Sequence, residues 1–86
     1  MMSDEAYLNA ALADCEHVVG GVAVRVEYAW EFGDWTVVDL ASGVVPVTQC
    51  DSPLEALMEA GFLGRGSVEA YLAKLLAERR ARAGVK

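Results

Sequence analysis

The sequence predicts an α+β fold in which helices pack on one face of a three-stranded antiparallel meander, with the element order α-β-β-β-α-α. Three observations favour this class. Apolar residues recur at helical spacing near both ends of the chain, apolar and polar residues alternate over residues 22–32, and turns that contain glycine separate these segments. The chain has 86 residues, so we expect residues 1–86 to form a single domain, because domains usually need roughly 50 to 200 residues.

The first predicted element is a helix that begins after Ser3, a residue suited to the N-cap position, and continues to the two glycines at residues 20–21. Its first turn is acidic, which suits the positive end of the helix dipole. The apolar residues of this segment recur at helical spacing: Leu8, Ala11, Leu12 and Cys15.

Three strands are predicted next. The alternation over residues 22–32 indicates the first strand, and a turn at residues 33–34 leads to the second strand over residues 35–40. The third strand, residues 44–50, contains Pro46, which has no N–H to donate and therefore favours an edge of the sheet. The second strand is then the central one.

The register of the hairpin between the first two strands has two alternatives. A two-residue turn places Phe32 opposite Trp35, but it also places Asp39 on the core face. A bulge after the turn instead leaves Trp35 outside, at the rim of an acidic face, and keeps the carboxylate of Asp39 away from the core. We favour the bulge for that reason. Trp30 and Phe32 are predicted core residues in either register.

Two helices are predicted after the sheet. Residues 52–55, SPLE, have the form of a capping box with proline at the first helical position. Gly61 ends this short helix. Ser67 is predicted to cap a final helix whose apolar residues lie three and four positions apart: Val68, Tyr71, Leu72, Leu75 and Leu76.

Charge is divided unevenly along the chain. Residues 1–64 carry eleven acids and one base, a net charge of −10, and residues 65–86 carry six bases and two acids, a net charge of +4, which together give −6. Binding of phosphate groups needs clustered positive charge, so we expect no nucleic acid to bind directly through the sheet. The acidic part favours a partner with a basic surface.

The residues that usually carry chemistry are sparse. The single histidine, His17, projects roughly 200° from Cys15 in the predicted helix, so the two do not form a thiolate–imidazole pair. Cys15 and Cys50 are expected to be reduced, and the two-residue cysteine knuckles of metal sites are absent. No glycine-rich stretch has the form of a phosphate loop. We therefore expect a protein that is not an enzyme and has neither a cofactor nor a metal.

The chain is expected to be cytoplasmic and to have no membrane partner. No apolar run approaches the roughly 18 residues of a membrane-spanning helix. The first ten residues are acidic, whereas a signal peptide begins with basic residues.

Residues 52–80 resemble the helix-turn-helix part of ribbon-helix-helix antitoxins, in which a serine-capped second helix similar to SVEAYLAKLL is common. The resemblance implies a dimeric regulator. The basic ribbon of that family is missing, since VVPVTQCD, residues 44–51, contains no lysine or arginine, and this argues against DNA contact through that strand. The element order is also similar to that of double-stranded-RNA-binding domains, but the basic face that they need is absent.

These observations favour a small acidic interaction protein that binds another protein, as an inhibitor that masks a basic nucleic-acid-binding surface. Phage-encoded inhibitors of host defence have this general character. The alternatives are a dimeric, antitoxin-like regulator that uses its basic C-terminal helix, and a small-ligand or structural domain. We also expect a homodimer, through the edge of the first strand or through the last helix. The predicted partner-binding residues are Glu27, Glu31, Asp34, Trp35 and Asp39.

Overall fold

Residues 2–43 and 49–84 are described by a computed structural model, in which an antiparallel sheet is covered on one face by helices. The strands lie in the order β1-β2-β3. The α+β class and the order α-β-β-β-α-α are therefore confirmed. The elements are α1 (Asp4–Leu12), β1 (Cys15–Val19), β2 (Val22–Ala29), β3 (Asp34–Asp39), α2 (Pro53–Glu59), a short 3-10 helix (Gly61–Leu63) and α3 (Arg65–Gly84).

The first helix is shorter than the sequence predicts. It ends at Leu12, and residues 15–19 form β1 instead of the last turns of the helix. Ala13, the C-cap residue, is already extended with a ψ of 127°, and Asp14 follows with a φ of 57°, so the chain turns from α1 into β1 at these two residues. Gly20 and Gly21 both have positive φ and form the two-residue turn that pairs Val19 with Val22. The glycines therefore turn a hairpin and do not stop a helix.

This change alters which strand is central. Among the described residues, β2 lies between the other two strands, and the strand at residues 35–40, which we predicted to be central, pairs with β2 on one side and forms a single bridge to Cys50 through Trp35. The predicted third strand, residues 44–50, lies mostly outside the described residues. At its end, the Trp35 N–H donates a hydrogen bond of 2.9 Å to the carbonyl oxygen of Cys50. The long edge from which we predicted a homodimer is absent, because residues 22–29 are paired on both sides; the homodimer itself stays a prediction.

Both predicted registers of the second hairpin were wrong. Tyr28 lies opposite Trp35 and Val26 lies opposite Val37, so the connecting loop has four residues, 30–33. The Ala29 carbonyl oxygen closes this loop by accepting N–H bonds from residues 32 and 33, at 3.0 and 2.8 Å. Asp39 does face the core side, opposite Val24, but at a strand end, where its carboxylate accepts the Ala41 N–H at 2.9 Å.

The core lies between one face of the sheet and the helices. Val24, Val26 and Val37 are fully buried there, and Leu12 and Leu57 reach them from α1 and α2. Alternation along each strand sends the other side chains to the opposite face, which no helix covers within the described residues. The second face is therefore free of helices among the described residues, although Thr36 on that face is buried.

The helix caps confirm two of the predicted starts and correct the third. Ser3 accepts the Ala6 N–H at 3.1 Å, and Ser52 accepts the Glu55 N–H at 3.2 Å. The third helix, however, begins at Arg65, so the predicted cap Ser67 lies within it.

Arg79 fastens the C-terminal helix to the N-terminal one. Its guanidinium donates to the Asp4 carboxylate at 3.0 Å and to the Met2 carbonyl oxygen, and it lies 5.1 Å from the centre of the Tyr7 ring. The Arg79 side chain is only 21% exposed, whereas the neighbouring Arg80 is exposed. One arginine of the basic segment is therefore used within the fold.

We predict that Arg79→Ala lowers the free energy of unfolding by about 1 to 2 kcal/mol, because it removes a cation–π contact and a partly screened ion pair. The matched control, Arg80→Ala, should change it by less than about 0.5 kcal/mol, since Arg80 is exposed. Urea unfolding of both variants measures the difference. Equal stability of the two variants would show that Arg79 does not hold the helices together.

We also predict that the two glycines of the first hairpin differ in their tolerance of a side chain. A β-carbon at Gly20 would lie 2.8 Å from the β-carbon of Ser67, whereas a β-carbon at Gly21 would have nothing within 4 Å. Gly21→Ala should cost about 1 to 2 kcal/mol for its positive φ alone. Gly20→Ala should cost about 1 to 3 kcal/mol more, because α3 has to move. Thermal unfolding that ranks the two variants in the reverse order would contradict this packing.

Candidate functional site

Two aromatic side chains are exposed at the end of the β2–β3 hairpin. Trp30 is 86% exposed and Phe32 is 69% exposed, and both lie in the four-residue loop. Trp30 contacts Tyr28 edge-to-face, with ring centres 4.8 Å apart and planes at 82°. This contact gives the indole a defined position while most of its surface remains open. Exposed aromatic rings held in place are typical of binding surfaces.

The two rings line an open groove of about 410 Å³. Glu27 and Thr36 face each other across the β2–β3 ladder at its base, on the face of the sheet opposite the helices. The complete lining is Glu27, Ala29, Trp30, Glu31, Phe32 and Thr36. Aromatic and acidic side chains therefore meet at one place on the surface.

The carboxylates of the groove are not neutralised by the bases of the fold. Among the described residues, the ion pairs are Arg25–Glu16, Arg65–Glu69 and Arg79–Asp4, and none includes Glu27 or Glu31. Arg25 is the base on the same face of β2, but it lies 2.7 Å from Glu16. The hydrogen bond and the charge of Glu16 raise the pKa of Arg25, and Glu27 adds to this only as a lesser cause. Within the described residues, the groove therefore holds two carboxylates that have no salt-bridge partner.

The structure brings together two of the five predicted partner-binding residues. Glu27 and Glu31 line the groove, whereas Asp34, the first residue of β3, lies opposite Ala29 and is not part of the lining. Asp39 lies at the other end of β3, where its carboxylate holds a turn.

Trp35 occupies a different place from the one predicted. We expected it outside, at the rim of the acidic face, but its register places it on the core face. It is half-buried, packs against the hydrophobic core and lies 5.5 Å from the Tyr28 ring. The exposed rings are Trp30 and Phe32, which we predicted to be core residues. In the sequence, the apolar alternation of residues 22–32 includes both Trp30 and Phe32. Gly33 is the only residue there that indicates a loop.

The chemistry near Cys15 also differs from the prediction. Cys15 and His17 lie two positions apart in β1, so they share the core side of that strand, where a helix would have separated them. His17 Nδ1 lies 2.5 Å from the Tyr71 hydroxyl, and its Nε2 lies 3.4 Å from the Leu12 carbonyl oxygen. With Nε2–H donating to that carbonyl, Nδ1 accepts the hydroxyl proton, so neither ring nitrogen is available as a base for Cys15.

Tyr71 keeps its proton in this arrangement. Partial burial raises the pKa of its phenol, and the nearby Glu78 and Cys15 raise it further. The neutral hydroxyl therefore remains a donor to His17 at physiological pH. Cys15 is exposed, Cys50 is buried, and no disulfide joins the two.

No group of three or more His, Cys, Asp or Glu side chains at residues 2–43 and 49–84 is arranged to hold a metal ion. None of the helices in those ranges has the length and apolar character needed to cross a bilayer.

Comparison of the chain with protein-family models, curated protein sequences and solved structures found no significant match.

We predict that the two tryptophans differ in what they contribute to stability. Trp35→Ala should lower the free energy of unfolding by about 2 to 4 kcal/mol, because it removes a ring packed on the core. Trp30→Ala should lower it by less than about 1 kcal/mol, since its ring is mostly exposed. Urea unfolding followed by circular dichroism compares them. A larger loss for Trp30→Ala would contradict the observed register.

Proposed function

We propose that this chain is a small acidic, non-enzymatic interaction protein that binds a protein with a basic surface through the hairpin groove. The observation that carries the proposal is the presence of two exposed aromatic rings beside two carboxylates that form no ion pair with any described residue, on the helix-free side of the sheet. Aromatic anchors surrounded by polar groups are the usual centre of a protein–protein interface.

The shape of the hairpin end supports binding to another macromolecule. Trp30 and Phe32 project from a loop whose backbone is closed by hydrogen bonds to Ala29, so the loop itself has little backbone freedom to lose on binding. An anchor of this kind is typically worth 2 kcal/mol or more in an interface. The groove is open, which suits a segment of a partner's surface better than an enclosed small molecule.

Charge supports a basic partner. Residues 1–64 carry a net charge of −10, and the groove belongs to that part of the chain. Complementary charge speeds encounter and rejects partners of like charge. A basic surface of that kind is the surface with which a protein binds nucleic acid, so the chain is suited to act as an inhibitor by occupying it.

We predict that the groove residues control partner binding. The partner is first captured on the immobilised unaltered chain, with the bare support as the control, and is then purified. Its dissociation constant should rise about 30-fold or more for the double variant, since about 2 kcal/mol corresponds to that factor. Charge reversal at Glu27 and Glu31 should also weaken binding, and added salt should reduce the affinity of the unaltered chain.

The control for charge is a reversal on the basic helix, Lys74→Glu with Arg80→Glu, which should leave the affinity within about threefold of the original value. If Lys74→Glu with Arg80→Glu abolishes partner binding while the groove variants still bind, the alternative of an antitoxin-like regulator that uses its C-terminal helix is favoured. Binding that is indifferent to salt and to both sets of variants would contradict the proposal.

A further inference from the structure

We infer that the groove receives an arginine side chain of the partner, whose guanidinium stacks on Trp30 and binds the carboxylates of Glu27 and Glu31. The inference rests on the proposed function and adds the chemical group that is recognised. The groove residues supply the two kinds of contact that guanidinium forms best, which are the face of an aromatic ring and a pair of carboxylate oxygens.

The ring surface is available for such a contact. Among aromatic side chains, tryptophan attracts a cation over its face most strongly. Trp30 already meets Tyr28 edge-to-face, and its 86% exposure leaves most of the indole open. Phe32 lines the same groove and adds apolar surface for the methylene stem of the arginine.

The carboxylates provide the charge. Glu27 extends from β2 and Glu31 from the loop, so they approach the groove from two different segments. Glu27 is half-buried, and a charge pair formed in partial shelter from water is stronger than one in the open solvent. Neither carboxylate belongs to an ion pair of the described residues, so an incoming cation displaces no existing partner side chain.

The other classes of occupant fit less well. A purely apolar segment would cover two carboxylates without compensating their charge, and burial of uncompensated charge is unfavourable. An acidic segment would be repelled. A groove of about 410 Å³ lies near the small end of ligand sites, which suits one long side chain and the backbone next to it.

The test uses the intact chain and the peptide acetyl-Gly-Arg-Gly-amide, with the neutral isostere citrulline in place of arginine as the control peptide. The chain has two tryptophans, so its NMR spectrum contains two indole N–H signals, which Trp30→Phe and Trp35→Phe variants assign. We expect the Trp30 signal to shift in a saturable manner with the arginine peptide while the Trp35 signal stays in place. The citrulline peptide should bind about tenfold more weakly or not at all.

A charge-matched pair of variants tests the carboxylates. Glu27→Gln with Glu31→Gln should weaken binding of the arginine peptide about tenfold. Glu5→Gln with Glu59→Gln makes the same change in net charge at exposed positions outside the groove, and it should change the affinity less than about twofold. Equal effects of the two pairs would show that only the overall charge of the chain matters, and this would overturn the arginine site.

The inference is also overturned if the Trp30 signal does not move at about 20 mM peptide, where a dissociation constant of 10 mM gives roughly two-thirds occupancy. Equal binding of the citrulline peptide overturns it too.

These outcomes do not depend on the partner. Failure with the peptide, together with partner binding that is lost in Trp30→Ala/Phe32→Ala, removes the arginine site and keeps the proposed function. A peptide response with partner binding indifferent to the groove variants removes the proposed function and keeps the arginine site.

Discussion

The pairing of Val26 with Val37 is the constraint on which both the core and the candidate site depend. Side chains alternate between the two faces of a sheet. A register that buries these valines therefore sends their neighbours along each strand to the opposite face. If β3 slipped by one residue against β2, its inward and outward side chains would change places, and Val37 would be exposed to water. The same register ends β2 at Ala29, so the next four residues form a loop, and the aromatic rings of that loop lie outside the core.

The helices complete this division of the sheet. All three contact the sheet or each other on the core side, and α3 is tied there at two points, through Tyr71 to His17 of β1 and through Arg79 to the N-terminal segment. The polar contacts of His17 and Arg79 therefore serve packing, although both residues are of types that often carry function. The groove lies on the other face, and its exposed side chains, Trp30, Glu31 and Phe32, take no part in the contacts of His17 and Arg79.

Local sequence patterns are sufficient to predict the fold class. They fail to predict a local structure where the same pattern is compatible with two of them. Residues 52–55 cap a helix through bonds between neighbours, so the sequence is sufficient there. The glycines at residues 20–21 suit either the end of a helix or a hairpin turn, and the choice depends on pairing with β2, which is a tertiary contact. For the site, the acids at Glu27 and Glu31 were predicted, but the aromatic partner was misplaced. Trp30 continues the alternation of the strand, and only the closing bonds to Ala29 show that the strand has ended.

The carboxylates of the groove also disfavour contact between two copies of the chain at the hairpin end. Exposed aromatic rings promote association between copies of a protein. Two copies that met through the hairpin ends would bring two pairs of Glu27 and Glu31 together while removing water, and like charges repel strongly under those conditions. A basic partner removes this repulsion, so the same groups oppose the self-contact and favour the contact with a different protein. Association between copies through the hairpin ends would therefore have to overcome this repulsion.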